Sequence, residues 1–306
     1  MASLQSYILR FLIRHTINWN KTLAEVRQDL VRLDRTLKLP DGVDHIPVSA
    51  GNALTEWFLP AKASEESVIV YLHGGGYGLG LVNTNRSFVA RIAKTSGLRV
   101  LLVDYGLAPE HPFPAALDDT LTAYRWLLSQ GVRPEKIGFL ADSSGGGLGL
   151  ATLISLRDAG DPLPVAMACM APMVDLTHSG ESRRTRANID PYRIKPEFYI
   201  DRHYVKGHDP MNPLISPLYA DLRHLPPMLI HASDYDIFLS DAIRLAEKAQ
   251  HAGIEVSLKI WEKMWHLFHM SAAILPEGRI AVQEICTYLR NKVESGISYE
   301  EYEITE

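Results

Sequence analysis

Ser143 stands where a short apolar segment ends and small residues begin. Residues 136–140 are mostly apolar, and two consecutive serines and three glycines follow shortly after them. A strand that stops at a serine and turns sharply into a helix is a nucleophile elbow, in which the residues two before and two after the serine must be very small. Here those residues are Ala141 and Gly145. The pattern predicts a nucleophilic hydroxyl, although a glycine-rich turn without chemistry has the same appearance.

A second loop of small residues follows another apolar segment. His73, Gly74, Gly75 and Gly76 come directly after residues 68–72. Three consecutive glycines leave backbone N–H groups open to a ligand, and such a loop accompanies the elbow in lipases and esterases, where it binds a developing oxyanion. A phosphate loop would end in Gly-Lys-Ser/Thr or open a helix with GxGxxG, and this loop does neither. We therefore expect an oxyanion loop, ordered by His73, with a flexible turn as the alternative.

Three further segments extend these two motifs into a family resemblance. They are residues 103–116 (VDYGLAPEHPFPAA), 215–222 (ISPLYADL) and 225–227 (LPP). With them, the chain resembles over nearly its whole length a bacterial member of the hormone-sensitive lipase family of α/β-hydrolase carboxylesterases. The resemblance implies an α/β fold with a mostly parallel central sheet, helices on both faces and a helical cap. Homodimers are common in that family, but nothing in this sequence fixes the oligomeric state.

Four positions depart from the family's pattern. Gly106 replaces a usual arginine, Gly147 an asparagine, Ser144 an alanine and Ala141 a glycine. We expect these differences to affect loop rigidity and fine specificity more than the reaction. A single methyl group is the smallest departure that position 141 could show.

A serine at neutral pH is a weak nucleophile and needs a base and an orienting acid, which in this fold follow in the order serine, acid, histidine. His266 lies on the loop after the predicted strand at residues 256–260, at a position similar to the family's catalytic histidine. Its neighbour His269 is the second candidate. The other histidines after Ser143 lie in a predicted insertion or near its end, in a strand or in a helix: His178, His203, His208, His224, His231 and His251.

Three aspartates follow the predicted strand at residues 228–231. The register of the resemblance places the family's acid on Asp236, and Asp234 remains an alternative if the loop is one residue longer. Asp241 fits better as a residue in the first turn of a helix, where a carboxylate complements the helix dipole. The predicted triad is therefore Ser143, Asp236 and His266.

The oxyanion hole is assigned to backbone N–H groups of the glycine loop and of the residue after the nucleophile. We expect Gly75, Gly76 and Ser144 to donate, with Gly74 shaping the loop. Ser144 would act through its amide, so its hydroxyl should matter little. Asp142 is predicted to bond a loop or start a helix rather than to react.

The elements that must position these groups alternate along the chain, as they do in a parallel sheet covered by helices. Apolar segments predict strands at residues 53–59, 68–72, 100–104, 136–140, 165–170, 228–231 and 256–260. Helical patterns are found at residues 85–95, 115–129, 144–159, 240–251 and 279–293.

Two regions break this alternation. Residues 1–40 show apolar spacing typical of two amphipathic helices, and residues 176–214 belong to a segment rich in Arg, Pro, His and Tyr. We expect both to form a cap over the substrate site of a catalytic domain at residues 41–306. A packed arm or a membrane-contacting surface is a weaker interpretation of the first region.

Composition excludes several classes of protein. A net charge of −5 gives no basic field for nucleic acid, and no apolar stretch is long enough for stable membrane insertion. Cys169 and Cys286 are isolated in apolar contexts, which favours buried thiols and a cytoplasmic location. The histidines and cysteines lack metal-ligand spacing and no cofactor motif is found, so we expect no metal and no cofactor. Trp57, Trp261 and Trp265 are assigned to the core.

These predictions combine into a serine carboxylesterase acting on short- to medium-chain acyl esters through an acyl-enzyme. An amide or lactone hydrolase would use the same residues and is the first alternative. A non-catalytic small-molecule receptor is the second, and it is disfavoured because receptors built on this fold lose the catalytic histidine, whereas His266 is present.

Overall fold

Eight strands form one sheet within the part of the chain that the structure, a computed structural model, describes: residues 2–16, 21–34, 39–194 and 201–295. In chain order, strands β1 to β8 are Val43–Ala50, Ala53–Pro60, Ser64–Leu72, Leu98–Asp104, Ile137–Asp142, Ala166–Met170, Met228–Ser233 and Val256–Trp261. Their spatial order is β1-β2-β4-β3-β5-β6-β7-β8. The pairs β1–β2 and β2–β4 are antiparallel and the remaining five are parallel.

The central strands are buried on both faces. Every residue of β5, β6 and β7 is buried, which explains why their sequences are apolar without alternation. Parallel neighbours need a crossover connection between them, and a helix usually supplies it. The carboxyl ends of these strands therefore lie along one edge of the sheet, where the connecting loops can meet.

Helices cover the two faces of the sheet. In chain order, helices α1 to α9 of the described residues are Leu4–Thr16, Leu23–Asp34, Asn83–Ser96, Ala115–Ser129, Ser144–Ala159, Ser182–Thr185, Asp201–Val205, Leu239–His251 and Pro276–Ser295. One buried apolar cluster joins the sheet to α4, α5 and α8, and another joins it to α3 and α9. This arrangement confirms the predicted α/β fold class, with a mostly parallel sheet between two helical layers.

Strand β1 is absent from the sequence-based prediction. Only Ala50 of its eight residues is buried, so it carries no apolar pattern. It pairs along its whole length with β2 through a tight turn at Gly51, whose φ of 64° suits glycine. Backbone pairing at the edge of the sheet defines this strand, and hydropathy does not detect pairing of that kind. The sequence also predicts that the acidic tail at residues 299–306 frays, and this tail lies outside the described residues.

The two predicted N-terminal helices are present and contact the loops at the carboxyl edge of the sheet. Leu9 and Ile13 of α1 pack beside a buried cluster that includes Met264 and Trp265. Arg27 of α2 donates to the carbonyl of Gly78 at 2.7 Å, just after the glycine loop. Across the described residues, none of the helices combines the length and hydropathy that a membrane crossing requires.

Candidate active site

Ser143 lies at the sharp turn between β5 and α5. Its φ of 51° is in the left-handed region, which residues other than glycine rarely adopt and which stores strain. Three backbone hydrogen bonds of 2.9 Å hold the turn: Ser143 N–H donates to the carbonyl of Met170, and the Ser143 carbonyl accepts from the N–H groups of Gly146 and Met173. These bonds fix the backbone from which the hydroxyl projects.

Close approach of two backbones explains the small residue at position 145. A Cβ on Gly145 would lie 2.1 Å from the carbonyl oxygen of Leu72 and 2.7 Å from that of His73. Ala141 is fully buried in β5, so the strand accommodates the methyl group that departs from the family's glycine. The elbow thus retains its geometry with alanine at one of its two small positions.

His266 bridges the serine to a carboxylate. Its Nε2 lies 3.0 Å from Ser143 Oγ, and its Nδ1 lies 3.0 Å from Asp236 Oδ2 and 3.1 Å from Asp236 Oδ1. All three side chains are buried. The structure therefore brings together the serine, histidine and aspartate selected from the sequence, in the arrangement of nucleophile, base and orienting acid.

The competing aspartates lie elsewhere. Asp234 Oδ1 accepts the N–H of Lys263 on a partly exposed part of the loop. Asp241 Oδ2 accepts the N–H groups of Val174 and Asp175 at 3.1 and 3.2 Å, so it links the start of α8 to the loop after β6. Both carboxylates have structural partners away from His266.

His269, the second candidate for the base, lies in a separate buried cluster. Its Nε2 is 3.4 Å from Nδ1 of His231, which also accepts the indole N–H of Trp261 at 3.3 Å. Burial lowers the pKa of His231 to about 3 and the pKa of His269 well below its ordinary value. These two imidazoles therefore stay neutral near pH 7 and pack as part of the core.

Burial also lowers the pKa of His266, but the neighbouring carboxylates raise that pKa by more. Removal from water by itself lowers the pKa of this imidazole, while Asp236 raises it through charge and hydrogen bonding. The net effect places the pKa of His266 above its ordinary value of 6.5. The protonated form of His266 is therefore stabilised by the Asp236 carboxylate next to its Nδ1.

The glycine loop is tied to the elbow through Asp142. Gly74 N–H donates to Asp142 Oδ2 at 3.0 Å, and Tyr71 donates its hydroxyl to Asp142 Oδ1 at 2.5 Å. Burial raises the pKa of Asp142 to about 6, against the effect of these two hydrogen bonds. Because its N–H is engaged here, Gly74 shapes the loop and is not placed to donate to a bound group.

Backbone conformation further down the loop requires glycine. Gly75 and Gly76 have φ angles of 121° and 60°, and both residues border the same cavity as Ser143. Ser144 Oγ accepts the N–H of Tyr77 at 3.4 Å, a contact between elbow and loop that the sequence did not suggest. His73 Nδ1 lies 2.7 Å from the Gly74 carbonyl, within the loop that it was predicted to order.

A cavity of about 180 Å³ opens beside Ser143 and His266. Its remaining walls are mostly apolar and are formed by Gly75, Gly76, Leu79, Met173, Arg183, Tyr192, Ile194, Asp201, Ile237, Phe238 and Leu267. A larger depression of about 740 Å³ lies near Trp57 and Lys136, at the amino ends of the strands and away from the serine. Of these two cavities, the smaller one is the one lined by Ser143 and His266.

Four residues of the inserted segment line this site, although no sequence motif marks them. Arg183, Tyr192, Ile194 and Asp201 line the cavity, and the ring of Tyr192 meets that of His266 edge-on at 6.2 Å. The sequence predicts that this segment belongs to a cap over the substrate site, but it does not identify which of its residues line the cavity. Its residues lack regular spacing, so their direction toward the cavity depends on tertiary packing alone.

Two other departures from the family's pattern have local explanations. Gly106 N–H donates to Asp119 Oδ2 at 2.8 Å, which anchors the turn in the absence of a larger side chain. A Cβ on Gly147 would lie 2.5 Å from the Met173 carbonyl oxygen and 2.9 Å from Tyr77 Oη. In this chain, a side chain at position 147 would require the neighbouring groups to move.

Comparison with known proteins places the chain among hydrolases. Residues 69–270 match a family model described as the alpha/beta hydrolase fold. An acetyl-hydrolase of Streptomyces hygroscopicus is 36% identical over 304 residues, which cover 97% of this chain and 100% of that protein.

Solved structures agree with that relationship. A crystal structure of an esterase from the bacterial hormone-sensitive lipase family is similar with a TM-score of 0.90 at 38% identity, covering 96% of this chain and 99% of the other. A structure of the esterase EstE5 soaked with p-nitrophenyl butyrate is similar with a TM-score of 0.91 at 36% identity, covering 96% and 100%. The similarity therefore includes the N-terminal helices and the inserted segment as well as the sheet.

Proposed function

The chain belongs to the hormone-sensitive lipase family of α/β-hydrolases and is a carboxylic ester hydrolase, and from this premise we propose that Ser143, His266 and Asp236 are its catalytic triad. The observation that carries the proposal is the continuous contact from Ser143 Oγ to His266 Nε2 at 3.0 Å and from His266 Nδ1 to Asp236 Oδ2 at 3.0 Å. The strained backbone at Ser143 supports the same role, because it holds the hydroxyl toward the cavity.

In the first half of the reaction, His266 Nε2 removes the proton of Ser143 as its oxygen attacks the ester carbonyl. The tetrahedral intermediate carries a negative oxygen, and His266 carries the positive charge that Asp236 stabilises. When the intermediate collapses, the bond to the alcohol breaks and the alcohol oxygen takes the proton from His266. The acyl group remains on Ser143.

In the second half, water replaces the alcohol. His266 removes a proton from the water as its oxygen attacks the acyl-enzyme, and returns the proton to Ser143 Oγ as the carboxylic acid leaves. The N–H groups of Gly75, Gly76 and Ser144 hold the oxyanion in both halves. One such donor is worth about 3 kcal/mol of transition-state stabilisation.

The substrate that this site fits best is an ester with a short acyl chain. The cavity of about 180 Å³ is smaller than the roughly 300–1,000 Å³ of sites for drug-sized ligands. The likeness to an acetyl-hydrolase and to an esterase soaked with p-nitrophenyl butyrate supports the same acyl range.

The cap that limits this cavity is proposed to combine residues 1–40 and 176–214 over a catalytic domain at residues 41–306. Arg183, Tyr192 and Ile194 supply cavity walls from the inserted part. Arg27 of the N-terminal part contacts the chain next to the glycine loop. Both parts thus bear on the substrate site.

A panel of p-nitrophenyl esters from acetate to decanoate tests the proposal. We expect the highest kcat/KM at acetate or butanoate and a steep fall for longer chains, with complete inactivation by a serine-directed phosphonate. Matched amides and lactones should react more slowly than the esters. Faster hydrolysis of decanoate than of butanoate, or retention of activity after phosphonate treatment, would contradict it.

A further inference from the structure

Asp190 is a buried carboxyl group of the inserted segment that the triad does not include. It is 1% exposed. Its Oδ1 accepts the N–H of Tyr192 at 3.0 Å, within its own turn, and its Oδ2 accepts the N–H of Ile237 at 3.3 Å, across the interface with the loop after β7. This carboxylate therefore joins the insertion to the loop that carries Asp236.

Two carboxylates accept hydrogen bonds from the backbone of the loop after β7. The N–H of Ile237 goes to Asp190, and the N–H of the next residue, Phe238, goes to Asp236 Oδ1 at 2.8 Å. Two successive backbone donors thus fix the turn directly after the triad acid. A change at Asp190 would release the first of them and allow Asp236 to move relative to His266.

Asp190 also organises the walls around the imidazole. Both residues that donate to it, Tyr192 and Ile237, line the substrate cavity. The ring of Tyr192 stands edge-on to His266 at 6.2 Å, while that of Phe238 lies 4.8 Å from it on the loop that Asp190 holds. Two rings next to His266 therefore depend on Asp190 for their backbone position. Tyr192 donates its N–H to Asp190, and Phe238 directly follows Ile237, which also donates to Asp190.

Charge gives Asp190 a second connection to His266. Burial, followed by repulsion from Asp236, raises the pKa of Asp190, and the charge of Asp190 in turn helps to raise the pKa of His266. Asp236 and Asp142 also raise the pKa of His266 through their charge. The Arg183 guanidinium lies over the Phe238 ring, 4.1 Å from its centroid.

We propose that Asp190 is a positioning residue of the triad, which holds the Asp236 turn in place and stabilises the imidazolium form of His266 from the cap side. The proposal rests on the triad proposed above. It assigns to the inserted segment a part in proton transfer as well as in forming the pocket. Asp190 touches neither the substrate nor Ser143 in this account and acts only through Asp236 and His266.

Asp190→Asn tests the charge with little change in shape. Loss of the negative charge should lower the pKa of His266, so the acidic limb of the kcat/KM profile should move to lower pH. At the plateau, kcat should fall about tenfold, the factor that corresponds to one pKa unit of lost stabilisation, with a smaller change in KM. Inactivation by a serine-directed phosphonate should show the same shift of its acidic limb, since it also needs neutral His266.

Asp234→Asn is the matched control, because it removes a carboxylate from the same loop that has a backbone partner but no contact with His266. Its pH profile should match that of the wild type. Asp236→Asn in the same assay separates the two proposals. Near-complete loss of activity there, together with an unchanged profile in Asp190→Asn, would overturn the role of Asp190 and keep the triad; an active Asp236→Asn enzyme would overturn the triad.

Folding of the variants is measured by circular dichroism and thermal unfolding, and Asp190→Ala provides a second variant. A shifted acidic limb in either folded variant supports the proposal. Native spectra with an unshifted limb overturn it. Failure of both variants to fold also overturns it, because Asp190 would then be needed for the fold rather than for the state of His266.

Discussion

The sheet edge and the cap contribute to the site in different ways. Ser143, Asp236 and His266 all follow parallel strands, and each is held by hydrogen bonds to neighbouring loops. Arg183 and Tyr192 come from the inserted segment between β6 and β7, Arg183 from the short helix α6 and Tyr192 from the irregular chain after it. We infer from this difference that strand register positions the proposed triad. Packing of the proposed cap would then limit which ester can enter and, through Asp190, the position of Asp236 relative to His266.

Removal of the nucleophile should have the largest effect and tests the sheet-edge half of this comparison. Ser143→Ala should lower kcat by about 10⁶-fold, as when the nucleophile of other serine hydrolases is removed. Ser144→Ala is the matched control: it keeps the backbone amide and loses the side-chain hydrogen bonds with the N–H of Tyr77, at 3.4 Å, and with Tyr105, so its kcat should stay within about threefold of the wild type. Equal losses in the two variants would mean that the elbow is assigned to the wrong serine.

Neutralising the acid should come next in size. Asp236→Asn should lower kcat by about 10⁴-fold, because an amide favours the wrong tautomer of His266 and leaves its imidazolium without a counter-charge. Steady-state kinetics with p-nitrophenyl butanoate measures the loss. A variant with more than a tenth of wild-type activity would show that the sheet edge holds a different acid.

The pH profile sharpens the comparison, because both halves of the site act on one imidazole. His266 works as a base only when neutral, so kcat/KM should fall as the pH drops through its pKa. Burial lowers that pKa and Asp236, Asp190 and Asp142 raise it, with a net value above 6.5. Activity should therefore decline about tenfold per pH unit below this limb. A limb well below pH 6.5 would contradict the charge arrangement.

The sequence predicted the sheet-edge half of the site better than the cap half, and the reason is physical. An elbow needs small residues at fixed offsets from Ser143, and a glycine loop needs backbone freedom at Gly75 and Gly76, so both leave a local pattern. Choosing Asp236 over Asp234 required the resemblance, since three aspartates share one loop. Asp190 and Tyr192 depend on contacts between distant segments, which no local pattern encodes.

The same contrast appears in the fold. Strands buried on both faces, such as β5 and β6, were predicted within one or two residues because continuous apolar sequence accompanies their burial. The edge strand β1 was missed because its side chains are mostly partly or fully exposed and only its pairing with β2 defines it. Burial of a strand can thus be predicted from the sequence. The pairing of an exposed edge strand and the packing of an inserted segment on the sheet are much harder to predict.

Shortening a cavity-lining side chain of the inserted segment should have a moderate effect on kcat/KM that favours longer acyl chains. Ile194→Ala should raise kcat/KM for hexanoate relative to butanoate by roughly fourfold for each methylene that gains contact, at about 0.8 kcal/mol each. Ala141→Gly, a change inside β5, should leave this ratio unchanged. If the hexanoate-to-butanoate ratio changed in Ala141→Gly and not in Ile194→Ala, the distinction between the sheet-edge half and the cap half of the site would be wrong.

The smallest effect is expected at the exposed ion pair between Arg27 of α2 and Glu110. Glu110 accepts Arg27 Nη1 at 2.7 Å, but its side chain is mostly exposed, so Glu110→Gln should destabilise by less than about 1 kcal/mol. Arg27 keeps its bonds to the carbonyls of Gly78 and Ala108. Thermal unfolding measures the change, and a fall in stability of several kcal/mol would show that this ion pair holds the cap in place.

Covalent labelling tests the central claim most directly. The enzyme is treated with a serine-directed phosphonate, and the modified residue is identified by peptide mass spectrometry beside the residual activity. We expect one phosphonyl group per chain, on Ser143, in proportion to the activity lost. Full inactivation with Ser143 unmodified, or with the label on Ser144, would contradict the account.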